Sequence, residues 1–342
     1  MKIVITGGAG FIGSALMRLL AREYPEADLI NIDDLSYCGD LRRLDDIKHS
    51  SLTFCKANIT QAKDYAHYLG QADVVFHLAA ESHVDRSILN PGIFFEVNAT
   101  GTQVLLDSCI KQGVKRFVHI STDEVYGPCL TGAFDESDQL NPTNPYSVSK
   151  LAAEYLVKNA HKHDDLDVVI TRGSNTYGPY QYPEKIIPLF VSNLLNNKSI
   201  PVYGDGLQVR DWLHVQDHAS AIQHVWKRGE SGQVYNIPGN ASMTNMEIVD
   251  RMLAYFKCDA TSIRHVEDRK GHDRRYALDG SKLKKLNWKH AEFFDTAFSQ
   301  TLKWYQDNQD WLEHMRSKSG EYQNFYEQQY GSGGQTPMQE SV

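Results

Sequence analysis

The sequence reads as an α/β protein: a doubly wound parallel sheet joined to a second, smaller α/β domain. Three observations predict this. Through the first half, short β-branched or apolar runs alternate with stretches of helical period. Between the first such run and the first helical stretch lies a cluster of glycines, Gly7, Gly8, Gly10 and Gly13. After about residue 172 the alternation loosens, and turn signals such as Gly204-Asp205-Gly206 and Pro238-Gly239-Asn240 break the chain into shorter pieces.

The elements follow in order. Residues 2–6 form a β-branched strand. Residues 10–24 form a helix with Ile12, Leu16, Leu19 and Leu20 on one side, and Pro25 ends it. Strands are expected at 29–33, 52–55 and 73–78. A long helix over 91–112 stops at Gly113, and strands follow at 115–121 and 167–171. Right-handed crossovers place the helices on both sheet faces. Beyond, 184–196, 216–227, 244–256 and 294–308 read as helices, and 200–203 and 211–215 as short strands. The expected division is a first domain over 1–172, with 208–238 returning to it, and a second over 173–207 and 239–330. The polar, Gly-rich tail 331–342 reads as disordered. No internal repeat is present.

Composition excludes several classes. The chain has 342 residues, 35 Lys+Arg against 43 Asp+Glu for a net charge of −8, 41% hydrophobic and 23% charged residues. That is the balance of a soluble globular protein with ample core. The longest uncharged run, 3–17, is rich in glycine and shorter than the roughly 20 apolar residues a membrane span needs. The start lacks the layout of a secretory signal. With no basic stretch to neutralise phosphates, no nucleic-acid partner is expected. Five scattered cysteines without a CxxC pair read as reduced thiols in a cytoplasmic protein. No metal is expected: His161 and His163 face different ways on a helix, and no cluster has ligand spacing.

Gly7-Gly8-Ala9-Gly10-Phe11-Ile12-Gly13 carries the first chemical signal. It follows a strand, opens a helix, and fits both GxGxxG and GxxGxxG. Glycines permit the tight turn and close approach of a pyrophosphate, and the helix N-terminus meets that anion with free N–H groups. Asp33, ending the second strand, would accept from the adenosine ribose hydroxyls and repel a 2′-phosphate, which favours NAD over NADP in a Rossmann-like unit. Asn58 and Ile59 follow the third strand, where an adenine could be held. The small side chains of Ala79 and Ala80 would let the dinucleotide lie against the backbone.

The second signal is Tyr146 with Lys150. Asn144 is a good N-cap and Pro145 a good first helical residue, so the i, i+4 spacing puts both side chains on one helix face. A nearby ammonium should lower the tyrosine pKa and make the pair a base. Thr122-Asp123-Glu124 ends the fifth strand, at the edge where doubly wound sheets bind ligands. Adjacent, partly buried acids tend to split their pKa values, leaving one protonated. Strand neighbours point to opposite faces, so both acids serve one site only if the chain bends there.

These motifs, with Leu35-Ser36-Tyr37-Cys38-Gly39, 79–87, Tyr177-Gly178-Pro179-Tyr180, Pro183-Glu184-Lys185, Arg210-Asp211-Trp212 and Gly271-His272-Asp273-Arg274-Arg275-Tyr276, make the chain similar to the extended short-chain dehydrogenase/reductase family. Within it the chain resembles the nucleotide-sugar 4,6-dehydratases that act on dTDP-glucose, from the N-terminus to about residue 330. The resemblance implies a bound NAD and a cycle of C4 oxidation, loss of water across C5 and C6, and hydride return to C6. Tyr146 would take the 4-hydroxyl proton and Thr122 would bond that hydroxyl. Glu124 would work at C5, and Asp123 would protonate the departing C6 hydroxyl. Ser82, His83, Asn175, Glu184, Lys185, Arg210, Asn236, Arg269 and His272 would hold the nucleotide-sugar substrate. A homodimer is implied too, helices 91–112 and 145–161 pairing with their copies, and a deoxysugar route such as that to rhamnose. Three departures stand out. Gly173-Ser174-Asn175-Thr176-Tyr177 replaces the usual Cys-Ser-Asn-Asn-Tyr, Asn58 replaces an Asp, and Lys270 a Pro. Rival readings on the same scaffold are an epimerase or decarboxylase, neither of which needs acids at both 123 and 124, and a non-catalytic NAD-sensing module, which would not need Tyr146 and Lys150.

Overall fold

The computed structural model describes residues 1–268, 271–318 and 320–331. Twelve strands appear in chain order among them: β1 Lys2–Thr6, β2 Asp28–Asp33, β3 Leu52–Lys56, β4 Val74–His77, β5 Arg116–Thr122, β6 Asp167–Gly173, β7 Asn175–Tyr177, β8 Ile200–Tyr203, β9 Val209–His214, β10 Val234–Ile237, β11 Ser242–Thr244 and β12 Ile263–Val266. Seven form a parallel sheet in the order β10-β6-β5-β4-β1-β2-β3. The strand order reverses between β1 and β4, and the crevice beyond their C-terminal ends is where such folds bind ligands.

Period-two alternation divides the core. Ile3 and Ile5 point to one face, against Leu16 and Leu20 of helix Phe11–Glu23 and Ile222 and Trp226 of helix Val215–Arg228. Val4 between them points to the other, with Leu105 and Leu106 of helix Thr102–Gln112 and Val157 of helix Pro145–Asp164. The inner strands β1 and β4 to β6 are buried on both sides and carry apolar runs such as Ile3–Ile5, Val74–Phe76 and Val168–Ile170, as parallel strands do, whereas β3 at the sheet edge is largely exposed.

A separate core gathers Ile187, Phe190 and Val191 of helix Ile186–Leu195, Ile248 and Met252 of helix Asn245–Phe256, and Phe298, Leu302 and Tyr305 of helix Phe294–Asp307. It lies with the small sheets β11-β9-β7 and β12-β8. No helix among the described residues is long and apolar enough to cross a membrane.

Three local expectations need correction. The helix over 91–112 is not continuous: it runs Pro91–Phe94, widens to a π-helix over Phe95–Gly101, and resumes as Thr102–Gln112. Within the wide turn Asn98 donates to Glu81 O and Ser149 Oγ and accepts from Glu81 N, which ties the loop after β4 to the neighbouring helix. The helix expected from 184 begins at Ile186, because Lys185 is extended and Glu184 is turned into the cleft. Helices Gln309–Ser317 and Glu321–Tyr330 were not expected. The tail expected to be disordered lies, Gly331 apart, outside the described residues.

Candidate active site

At the β1/β4 crevice the chain prepares a surface for an extended anion. Gly10 caps helix Phe11–Glu23 without any side-chain hydrogen bond, so the first N–H groups stay available. Gly7 has φ +75°, and a Cβ there would lie 2.6 Å from Ala79 N; one on Gly13 would lie 2.1 Å from Gly7 O. Only glycine keeps this loop closed and its floor open. Behind it runs a buried chain: Thr6 Oγ1 lies 2.8 Å from His77 Nδ1, and His77 Nε2 lies 2.9 Å from Thr102 Oγ1, which donates to Asn98 O. Burial, then the Lys150 charge, lowers the His77 pKa to about 3, so the ring is a neutral link.

Asp33 is buried, with Oδ2 accepting from Ala9 N and Oδ1 from Leu35 N, each at 2.9 Å. Burial raises its pKa against those two bonds. Each oxygen keeps lone-pair capacity for a ribose hydroxyl. Asp33, Asn58, Ile59, Ala79 and Ala80 line one groove with Gly7 and Gly10. Asn58 departs from its expected use: its Oδ1 already accepts from Thr60 N at 2.9 Å and Thr60 Oγ1 at 2.8 Å, and its Nδ2 donates to Asp34. Its carbonyl therefore has no lone pair left for adenine. The open helix end, the glycine floor and Asp33 together fit an NAD dinucleotide.

The groove continues into an open cleft lined by Phe11, Ile12, Gly13, Thr122, Asp123, Glu124, Tyr146 and Lys150. The bend required for both acids is present: β5 stops at Thr122 and residues Asp123–Tyr126 turn into a 3₁₀ helix. Thr122 Oγ1 caps that turn by accepting from Glu124 N at 3.2 Å. Asp123 is 4% exposed; its Oδ1 accepts from Thr122 Oγ1 at 3.3 Å, and its Oδ2 has no protein partner. Burial first, and Glu124 second, push the Asp123 pKa well above the usual carboxylate range. Glu124 Oε2 accepts from Asn144 Nδ2 at 3.4 Å. Asn144 also caps helix Pro145–Asp164 by accepting from Ser147 N at 2.9 Å, so one residue fixes both the helix start and an acid.

Tyr146 and Lys150 share the cavity, but their electrostatics differ from expectation. Lys150 Nζ donates to Ile120 O at 2.7 Å, and burial lowers its pKa to about 8. Tyr146 is raised above the ordinary phenol value, by burial first and then by Glu124 and Asp123, against a hydrogen bond with Thr122. In the protein by itself the two carboxyl groups, not the ammonium, dominate its surroundings. One turn further, Glu154 accepts from Arg172 Nε at 3.0 Å and Nη2 at 2.6 Å, both side chains almost wholly buried. Arg172 Nη1 donates to Tyr126 Oη at 2.6 Å, which donates to Asn236 Oδ1 at 2.9 Å.

That chain explains a second correction. Asn236 does not reach the cleft: it is fully buried, with Oδ1 held by Tyr126 and Nδ2 donating to Phe134 O and Asp279 O. The other described substrate candidates do line the cleft. Ser82 lies on the catalytic side, His83, Arg210 and His272 on the far side, and Asn175, Glu184 and Lys185 between. Glu184 pairs with Arg86 at 2.9 Å, and Lys185 donates to Ser82 O at 3.0 Å. Arg210 donates to Val209 O and Asp273 O and stacks 4.4 Å over Tyr276. His272 Nδ1 lies 2.6 Å from Asp268 Oδ1. Asn175 Oδ1 is buried without a protein partner. Arg269 lies outside the described residues. Among these residues no group of three or more His, Cys, Asp or Glu could hold a metal ion.

His218 is one of the lining residues that the sequence motifs do not include. His218, 2% exposed, packs its ring where a Cβ on residue 173 would sit, 2.5 Å from its Cε1, and its Nδ1 lies 2.8 Å from Thr176 Oγ1. Gly173 and Thr176, noted above as departures, are the residues that seat this ring. That pairing was the only signal in the sequence.

A doubly wound sheet with this glycine loop and Tyr/Lys pair is the architecture of a nucleotide-dependent oxidoreductase-like enzyme. The chain belongs to the NAD dependent epimerase/dehydratase family, whose model matches residues 3–238. A dTDP-glucose 4,6-dehydratase of Streptomyces antibioticus is 43% identical over 93% of this chain and 96% of its own length. One of Escherichia coli is 41% identical over 96% and 99%. The crystal structure of DesIV, a dTDP-glucose 4,6-dehydratase from Streptomyces venezuelae with NAD bound, is 44% identical, superposes with a TM-score of 0.90, and covers 92% of this chain and 100% of that one. A UDP-glucose 4-epimerase from Thermotoga maritima is 27% identical with a TM-score of 0.83 over 90% of this chain and 100% of its own.

Proposed function

We propose that this chain converts dTDP-glucose to dTDP-4-keto-6-deoxyglucose and water, using NAD. The observation that carries the reading is the bend after Thr122, which turns adjacent acids Asp123 and Glu124 into the cavity that also holds Tyr146 and Lys150. An epimerase or decarboxylase needs the tyrosine and lysine but has no use for both acids.

Bound NAD+ would supply the hydride acceptor for sugar C4 and the hydride donor for C6. The Lys150 ammonium, with the positive nicotinamide of a bound NAD+, would offset the burial of Tyr146 and favour its phenolate, which accepts the proton of the sugar 4-hydroxyl while Thr122 holds that oxygen in line. The resulting 4-ketone makes the C5 hydrogen acidic. Glu124 removes it, and the electron pair left at C5 expels the C6 hydroxyl. Asp123, kept protonated by burial and by Glu124, gives its proton to that hydroxyl so that water leaves. Glu124 then returns a proton to C5 as hydride reaches C6, and Tyr146 keeps the 4-ketone in hydrogen bond. Asn175, Glu184, Lys185, Arg210 and His272 support nucleotide-sugar binding by lining the rest of the cleft. Arginine's planar donor fork suits a diphosphate.

A homodimer is part of this proposal. Phe95, Ile110, Val148 and Tyr155, on helices Pro91–Phe94 to Thr102–Gln112 and Pro145–Asp164, are exposed apolar residues that a second copy would cover. Sedimentation as a monomer would refute it. We also propose a cytoplasmic location. The catalytic reading is tested by incubation with glucose and N-acetylglucosamine linked to dTDP, UDP, GDP and CDP, reading the alkaline absorbance of a 4-keto-6-deoxy product. Signal with dTDP-glucose is expected. Signal with another nucleotide alone corrects the substrate, and no signal with any overturns the enzyme reading.

A further inference from the structure

Beside the glycine loop lies a cation that none of the motifs above includes. Arg43, in the 3₁₀ turn Leu41–Leu44, has no exposed surface. Its Nη1 donates to Ala9 O at 3.0 Å and Cys38 O at 2.6 Å, and its Nε donates to Tyr180 O at 3.0 Å. The guanidinium also lies 5.3 Å from the centre of the Trp311 ring. Its remaining nitrogen, Nη2, is buried without a partner. No ion pair joins it to a carboxylate among the described residues. The nearby acids are engaged elsewhere: Asp40 takes His314 at 2.9 Å and Lys318 at 3.7 Å, and Asp33 takes two backbone N–H groups.

A buried guanidinium bonded only to neutral carbonyls is a charge whose counter-ion is missing from the chain, and burying such a charge is costly. Arg43 lines the same cavity as Gly7, Gly10, Phe11 and Ile12, whose helix N-terminus is uncapped. Both features ask for an anion at one place, and a diphosphate matches the fork of an arginine.

We propose that Arg43 is the counter-cation of the dinucleotide diphosphate, with Nη2 as its donor, while Nη1 and Nε hold the glycine loop at Ala9 and the smaller domain at Tyr180 around it. This rests on the NAD reading and goes beyond it, because the glycine loop alone would otherwise carry that anion.

The test compares wild type, Arg43→Gln and Arg43→Lys by titration of tryptophan fluorescence with NAD, ADP and adenosine. Glutamine keeps hydrogen bonding but removes charge; lysine keeps charge but removes the fork. For Arg43→Gln, NAD and ADP affinity should fall roughly 10–100-fold, the scale of a lost charged hydrogen bond, while adenosine, lacking phosphate, changes by less than about 2-fold. Arg43→Lys should lose about 3–10-fold for ADP and nothing for adenosine, and it decides the question if the glutamine variant does not fold. Equal losses for ADP and adenosine would mean that Arg43 only pins loops, and unchanged ADP affinity would mean that it never meets the phosphates. Either overturns the proposal alone. A wild-type chain that binds neither NAD nor ADP overturns the dinucleotide reading as well.

Discussion

Replacing Asp123 with asparagine should uncouple activity from stability. Asp123 is 4% exposed, its Oδ2 has no protein partner, and burial and Glu124 hold its proton on. Asparagine has the same shape but no proton to give the departing hydroxyl. General acid assistance is worth about 10²–10⁴-fold, so kcat should fall by that factor, an added barrier of about 3–5 kcal/mol. The first oxidation does not use Asp123, so enzyme-bound NADH should accumulate and be visible as nicotinamide absorbance. Stability moves the other way. A carboxyl group whose folded pKa is raised above the ordinary 3.8 keeps a proton that the unfolded chain has released, so it removes stability as pH rises from about 4 toward the folded value. The variant lacks that penalty, and its advantage in denaturant unfolding should grow as pH rises above the ordinary carboxylate range. Full kcat in the variant, or loss of NADH formation in step with product formation, would refute the assignment. A stability difference between variant and wild type that does not change with pH would refute the electrostatic reasoning.

Other expectations follow from the same geometry. Glu154→Gln leaves Arg172 buried without its bidentate partner and should cost about 3–5 kcal/mol by thermal or denaturant unfolding; a loss below about 1 kcal/mol would contradict the role given to that pair. Lys150→Met should cost at least about 10²-fold in kcat. Because the Lys150 pKa is lowered to about 8 from 10.5, the wild type gains stability as pH rises through that window, and the methionine variant should not; parallel unfolding curves at pH 8 and pH 10 would speak against it. Gly7→Ala sets a Cβ 2.6 Å from Ala79 N at φ +75°, so it should cost at least the about 1–2 kcal/mol of the left-handed backbone and weaken NAD binding measured by titration; unchanged affinity would show that the crevice is wider than described. Gly173→Ala must displace His218 and should raise KM or lower kcat while Tm changes little, whereas kinetics identical to wild type would show that the ring's seat is immaterial.

Much of the large sheet was legible because its strands are short, apolar and separated by helices of clear period. β1 to β6 lie within a residue or two of the expected runs. The smaller domain was less so. β9 begins two residues before the expected strand, since its register is set by β7 and β11, which are far away in sequence. The π-helix over Phe95–Gly101 has no local signature: it depends on Asn98 meeting Glu81 and Ser149. The glycine loop and the Tyr146–Lys150 face could be read because each lies on one element with a fixed period. The bend that brings Asp123 and Glu124 together could only be required, not foreseen. Asn236 was misplaced because resemblance gives a position in the chain but not the direction of a side chain, and here Tyr126 and Arg172 draw it into the sheet's end. Arg43 and His218 carry no motif. Their meaning comes from being buried beside a cleft with one nitrogen left over.

The central claim is that one cavity performs oxidation, elimination and reduction on the same sugar without releasing the hydride. Incubation with dTDP-glucose deuterated at C4, followed by mass spectrometry or NMR of the product, tests this directly. The arrangement of Tyr146, Asp123 and Glu124 around one site predicts that the label reappears at C6. Label lost to solvent, or retained at C4 of an epimerised sugar, would contradict it.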